Sequence, residues 1–141
     1  MVIISPSDAT TAANPWNNGV VASDYGGSAN NYVDAVMATA DTTLRGWSYG
    51  QLEFEWTTVG PYKSLKSEYT ASNCADYTSV GSDHLNSENI PLEGLDVNSF
   101  DFQIYWQPSC DEFLSGQAYV GGTQSLMKVN TGFSVDSAAG V

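Results

Sequence analysis

The 141-residue chain carries sixteen acidic and four basic side chains, which give it a formal net charge of -12. A chain of this length buries enough surface to fold as a single domain without a metal ion or a disulfide. Its acidic surface repels phosphate groups, so we expect no nucleic acid and no membrane among its partners.

The first 29 residues predict an extended N-terminal arm. They are rich in Gly, Pro, Asn and Ser, which interrupt regular structure and leave room only for short edge strands at residues 2–4 and 19–22. Trp16 is expected to anchor the arm in a pocket. The opening residues lack the basic and apolar stretches of a signal peptide, and no segment reaches the roughly 20 apolar residues of a membrane helix.

A helical period follows the arm. Apolar residues recur there at intervals of three and four, which places them in one stripe along a helix. We predict one short α-helix over about residues 31–45, with Asn30 or Asn31 at its N-cap and a stop at Gly46. The stripe consists of Val33, Val36, Met37, Ala40 and Leu44.

Two later segments, residues 51–57 and 100–106, alternate between apolar and polar residues. Such alternation is typical of strands with one buried and one wet face. Shorter candidate strands separated by turn residues follow, residues 126–129 among them. We therefore predict a mostly β fold, an antiparallel β-sandwich or a jelly-roll-like barrel, with residues 30–141 forming a single β-rich domain. The side chains expected to face its core are Leu52, Phe54, Trp56, Phe100, Phe102, Ile104 and Trp106.

Glu53 and Glu55 are the residues that come nearest to a catalytic pair. They lie on one face of the predicted strand about 7 Å apart, and glycoside hydrolysis requires carboxyl groups about 5 to 9.5 Å apart. A catalytic pair faces across a cleft, however, whereas these two side chains point in parallel. Because alternation already explains both as the solvent side of a strand, we predict no catalytic residues.

The remaining ligand types form no cofactor or metal motif. His84 is the only histidine, and the two cysteines fit neither a zinc nor a redox spacing. We expect no cofactor and no bound metal. Two alternatives stay open: a disulfide between Cys74 and Cys110, and a calcium ion held by loop carboxylates such as Asp83, Glu88 and Asp96.

Aromatic side chains exceed what two core strands require, since the chain has eight tyrosines and four tryptophans. Tyrosine within Ser-, Asn- and Gly-rich sequence is typical of contact surfaces. The alternative is that these tyrosines line the rim of a β core and keep their hydroxyl groups in water. The candidate interaction residues are Trp16, Tyr25, Tyr62, Tyr69, Tyr77 and Tyr119.

Three hypotheses for function follow. The first and favoured one is a non-enzymatic structural subunit of an assembly, a virus or phage component such as a capsid decoration (cement) or tail protein. Such a subunit contacts copies of itself and other subunits, and its location is the virion, assembled in the host cytoplasm. The second is a carbohydrate-binding module of a secreted protein, with aromatic rings as sugar platforms. The third is a small glycoside-active enzyme that uses Glu53 and Glu55.

Overall fold

A β-sheet of five strands and a long helix packed against one of its faces form the core of the protein in a computed structural model. The structure describes residues 1–12, 14–17, 19–67, 69–70, 92, 94–108, 115–118 and 120–129. Within these ranges, no helix combines the length and the apolar character needed to cross a membrane.

The strands and helices are short except for one helix. In chain order they are β1 (Val2–Ser5), a 3-10 turn (Asn14–Trp16), α1 (Gly19–Asp24), α2 (Ala29–Trp47), β2 (Val59–Lys63), a second 3-10 turn (Val97–Ser99), β3 (Gln103–Pro108), β4 (Ser115–Ala118) and β5 (Gln124–Val129).

The sheet is largely parallel. Its strand order is β2-β1-β3-β5-β4, and β2, β1, β3 and β5 all run in the same direction. Only the edge strand β4 is antiparallel to its neighbour, β5. The predicted antiparallel β-sandwich or jelly-roll-like barrel is therefore wrong, because the described residues form a largely parallel sheet with helices packed on it.

Alternation misled the prediction because side chains are buried on both faces of the central strand. On one face, Trp106 packs with residues of α1 and α2. On the other, Tyr105 packs with side chains of β1 and β5, and the polar Gln103 and Gln107 of β3 are buried as well. Parallel strands are normally covered on both faces, so an outward polar residue on such a strand does not indicate a wet face.

The predicted N-terminal arm is also wrong. Strand β1 pairs with β2 on one side and with β3 on the other, so residues 2–5 lie inside the sheet. Ile3 and Ile4 are fully buried. Trp16 is fully buried in the same chain, and its Nε1 donates a 3.1 Å hydrogen bond to Oγ of Ser5, whose hydroxyl donates to the backbone oxygen of Ala12.

The predicted helix is present but differs at both ends. It begins after Ser28, whose Oγ accepts a hydrogen bond from the backbone N–H of Asn31, so Ser28 is the N-cap. It continues through Gly46 to Trp47, because Gly46 keeps a helical conformation and the C-cap is Ser48. The apolar stripe packs on the sheet in its first part only, through Val33, Val36 and Met37.

Helix α2 is longer than the sheet beneath it. Its 19 residues span about 28 Å, whereas the four and five residues of β1 and β2 span about 13 to 17 Å. Because α2 connects two parallel strands, it runs opposite to them. Its second half therefore projects past the edge of the sheet at which the parallel strands begin, which we call the amino edge.

The predicted strand at residues 51–57 does not form. Residues 52–58 are extended without joining the sheet, Leu52 and Phe54 are exposed, and Trp56 alone packs against the core. Phe100 and Phe102, expected in the core, precede β3 and are exposed too. Phe100 and Phe102 lie at the amino edge, beside the first residues of β1, β2 and β3.

Candidate functional site

Large exposed apolar side chains collect at the amino edge of the sheet. Trp47 is 80% exposed and Tyr49 is 93% exposed, and both stand at the projecting end of α2. We define the helix-end surface as Trp47, Tyr49, Leu52 and Phe54, all of them exposed. Large exposed apolar side chains that follow closely on one another in the chain are candidates for a site that another molecule covers.

A tight turn holds the helix-end surface in place. The N–H of Ser48 donates to the carbonyl of Leu44, and that of Gly50 donates to the carbonyl of Arg45 at 2.7 Å. Tyr49 occupies the left-handed region with φ of 54°. Among the described residues, no other residue except glycine has a positive φ. That conformation costs an ordinary side chain about 1–2 kcal/mol, so this turn displays the Tyr49 ring at an energetic cost.

Two aspartates of α2 hold the following segment along the helix. Asp41 accepts a 2.7 Å hydrogen bond from the backbone N–H of Phe54. One carboxylate oxygen of Asp34 accepts from Nε1 of Trp56 and from the hydroxyl of Thr58. Residues 54–58 therefore run back along α2 toward β2, and Phe54 is fixed on the surface beside the helix.

The charges beside the helix-end surface are mostly negative. Arg45 pairs with Asp41 at 2.7 Å and with Glu53 at 2.8 Å, so its cation is shared between two carboxylates. Glu55 is exposed nearby in the sequence. The Phe54 backbone N–H and the Arg45 guanidinium hold the pKa of Asp41 below its usual value, which keeps this carboxylate charged.

A shallow apolar depression lies at the same edge. Phe100 and Phe102 line it together with the first residues of β1, β2 and β3 and with Thr57. Thr57 belongs to the segment held along α2, so that segment connects the helix-end surface with the depression. The residues that line it are Met1, Val2, Thr57, Val59, Phe100, Phe102 and Gln103.

The opposite edge, at which the parallel strands end, is where ligands usually bind in open α/β sheets. Of that edge the structure describes the residues that follow β1 and β2. Ser5 ends β1 fully buried, and its hydroxyl is committed to Trp16 and Ala12. Ser64 follows β2, is buried, and accepts a hydrogen bond from the N–H of Lys66. Both hydroxyl groups thus serve the local structure.

The structure separates the six predicted interaction residues. Trp16 and Tyr69 are buried, and burial raises the pKa of the Tyr69 hydroxyl. Tyr25 and Tyr62 are half-buried, and the Tyr25 ring packs edge-on against Tyr32 at a centroid distance of 5.4 Å. Burial in that cluster raises the pKa of Tyr32 to about 12. The other two candidates, Tyr77 and Tyr119, lie outside the described residues.

The two glutamates of the enzyme hypothesis lie on the exposed segment that precedes β2. Glu53 is engaged by Arg45, and Glu55 lies exposed on the same extended segment. Neither lines the depression at the amino edge. The glycoside-active enzyme stays a hypothesis that these contacts do not test.

Metal binding can be considered only for part of the chain. Among the residues that the structure describes, no three His, Cys, Asp or Glu side chains lie close enough to hold a metal ion. Asp96 accepts a hydrogen bond from the N–H of Asn98, a local turn contact. The other residues considered for calcium or a disulfide lie outside the described ranges: Asp83, Glu88, Cys74 and Cys110.

Sequence reasoning missed the helix-end surface. Trp47 continues the apolar stripe three residues beyond Leu44, so the period alone predicts that its side chain is buried. Its exposure follows from the difference in length between α2 and the strands, which is not a local property. The usable signal was the pair of aromatic residues between Gly46 and Gly50, where the helix ends.

Comparison with known proteins gives no relative for this chain. No family model matches it, and no match was found among curated proteins or solved structures.

Proposed function

We propose that the chain is a non-enzymatic assembly subunit that binds other protein subunits through its amino edge. The observation that carries this proposal is the turn after α2, which keeps the Tyr49 ring 93% exposed in a left-handed backbone conformation. Glycine or asparagine would occupy that position at lower cost. A strained, exposed aromatic residue adds little to folding, and backbone strain of this kind is often kept at functional sites.

The composition of the helix-end surface supports a protein partner. Tryptophan and tyrosine are the residues in which binding energy most often concentrates at protein interfaces. Here Trp47 and Tyr49 lie two residues apart on a hydrogen-bonded turn, with the apolar Leu52 and Phe54 after them. The hydrogen bonds of the turn order its backbone before a partner binds, which lowers the conformational entropy lost on binding.

The setting of the assembly stays a prediction. A virus or phage particle was favoured partly because of the predicted β-sandwich, and the parallel sheet removes that support. The subunit role does not depend on the sandwich, because it derives from the exposed amino edge. A location in the virion, or secretion in the case of a sugar-binding module, is likewise a prediction for the native source.

A carbohydrate-binding module is the second candidate. It is favoured by the same exposed rings, since Trp47 and Tyr49 could stack on sugar faces. Leu52 and Phe54 argue for a protein, because side chains without polar groups give a sugar hydroxyl no hydrogen-bond partner. Binding of a soluble polysaccharide that is lost in Trp47→Ser would favour the sugar-binding function.

The native mass of the protein tests the proposal. When gently isolated from its native source, the wild-type chain is expected in a complex heavier than one chain of 15.1 kDa. Replacing Trp47 and Leu52 together with Ser should release the chain as a monomer, because both apolar contacts with the partner are lost. Native mass spectrometry of the two preparations measures the difference.

Leu65→Ser is the matched control, because Leu65 is 63% exposed, close to the 56% of Leu52, but follows the end of β2 at the opposite edge. This control should keep the heavier complex. A wild-type chain found only as a monomer, or a Trp47→Ser/Leu52→Ser double variant that keeps the full complex mass, would overturn the proposed function.

A further inference from the structure

We infer that the occupant of the helix-end surface is a basic, apolar segment of a different protein. This inference rests on the proposed function and adds the chemistry of the partner. Three observations support it: the charge around the surface, the commitment of its single guanidinium, and the charge of the whole chain.

The local charge favours a cationic partner. Residues 41–58 contain three carboxylates, those of Asp41, Glu53 and Glu55, and one cation, Arg45. Arg45 pairs with two of these carboxylates, and the segment keeps a net charge of -2, one cation against three carboxylates. Lys or Arg side chains at the rim of a partner would meet these carboxylates, and complementary charges fix orientation and increase the association rate.

The charge of the whole chain argues against a second copy as the occupant. Each copy carries a net charge of -12, and two copies docked through their amino edges would bring like-charged carboxylates together. Like charges at an interface cost free energy, most strongly at low ionic strength. The apolar residues therefore contribute affinity for a partner, and the carboxylates around them select for a basic one.

Two synthetic peptides of equal apolar character can test this inference. The probe is a peptide of about four helical turns with leucine on one face and lysine on the other, and its counterpart replaces every lysine with glutamate. The leucine/lysine peptide should bind the full-length protein, with an affinity that falls as salt is added. The leucine/glutamate peptide should not bind. Isothermal titration calorimetry measures both.

Two pairs of charge substitutions locate the effect. Glu53→Gln with Glu55→Gln should weaken binding of the leucine/lysine peptide several-fold. The control pair, Asp8→Asn with Asp24→Asn, removes two exposed carboxylates that follow β1 and precede α2, at the opposite edge. That pair should leave the affinity within about twofold, because salt screens charges farther away than about 8–10 Å. If both pairs of substitutions lowered the affinity equally, the peptide would respond to the net charge of the whole protein and not to this surface, and the inference would be overturned.

The role of the apolar residues separates this inference from the proposed function. Trp47→Ser should weaken binding of the leucine/lysine peptide at least about tenfold. If the leucine/glutamate peptide binds equally well and Trp47→Ser abolishes that binding, the proposed function is retained, but the inference of a basic partner is overturned. If Trp47→Ser changes the binding of neither peptide, the helix-end surface is not the binding site, and this inference and the proposed function both fail.

Discussion

Replacing Trp16 with Ala is expected to lower the free energy of unfolding by about 3–5 kcal/mol, the usual cost of removing a large buried aromatic side chain. Trp16 is fully buried among the residues that join α1 and α2 to the sheet, and its indole donates to Ser5. The substitution leaves a cavity and removes a buried hydrogen bond. Because domains are stable by only about 5–15 kcal/mol, the variant should be near its limit of folding at room temperature.

Trp47→Ala is the matched control for this prediction. Trp47 is 80% exposed and lies outside both clusters of buried residues, so its loss should change the free energy of unfolding by less than about 0.5 kcal/mol. Urea denaturation followed by circular dichroism compares the two variants with the wild type. If Trp16→Ala lowered the free energy of unfolding no more than Trp47→Ala does, the Trp16 side chain would not belong to the core.

Replacing Gly60 with Ala is expected to destabilise the protein by at least about 2 kcal/mol. Gly60 has φ of 100°, a conformation that L side chains rarely adopt, and a Cβ at this position would collide with the carbonyl oxygen of Ile3. Backbone atoms of a central strand cannot move aside cheaply. The substitution should therefore combine backbone strain with a loss of pairing between β1 and β2.

Gly50→Ala separates these two costs. Gly50 has φ of 78°, and a Cβ there would meet nothing within 4 Å. This variant should show the strain alone, about 1–2 kcal/mol, and the difference between the two variants measures the contact of residue 60 with β1. If Gly60→Ala were no more destabilising than Gly50→Ala in thermal unfolding, the close approach of β2 to Ile3 would be disproved.

The helix was predictable from sequence, whereas the arrangement of the strands was not. A stripe at intervals of three and four residues is a local signal, and it located α2 to within two residues at each end. The run of apolar residues 2–4 was a signal for a buried strand. Pro6 and the glycines after it are typical of a terminal segment, so composition predicts an arm instead. Local composition does not show which strands flank residues 2–4.

The strand faces were misjudged for a related reason. In β3, alternation predicted a wet face for Gln103 and Tyr105, although both are buried. Which face of a strand is covered depends on segments distant in sequence, here those that carry the buried side chains of Tyr69 and Leu92. The opposite error was made for Phe102, whose side chain was predicted to be buried. Phe102 precedes β3 and is exposed, and no described residue covers it there.

The candidate site was not predictable from the residues that were singled out. Tyrosines in polar sequence predict contact residues, yet Tyr69 is buried and Tyr25 packs against Tyr32. Trp47 and Tyr49, the two exposed aromatic residues at the end of α2, owe their position to a helix about 11 to 15 Å longer than the first two strands. That difference is evident only when helix and sheet are seen together.

Hydroxyl-radical footprinting shows whether a partner covers the amino edge. The labelling of peptides that contain Trp47 and Tyr49 is compared between the isolated chain and the protein in its native complex. Labelling should fall several-fold in the complex, while the peptide that contains the exposed Leu65 keeps its rate. Equal labelling of Trp47 and Tyr49 in the two states would contradict the claim.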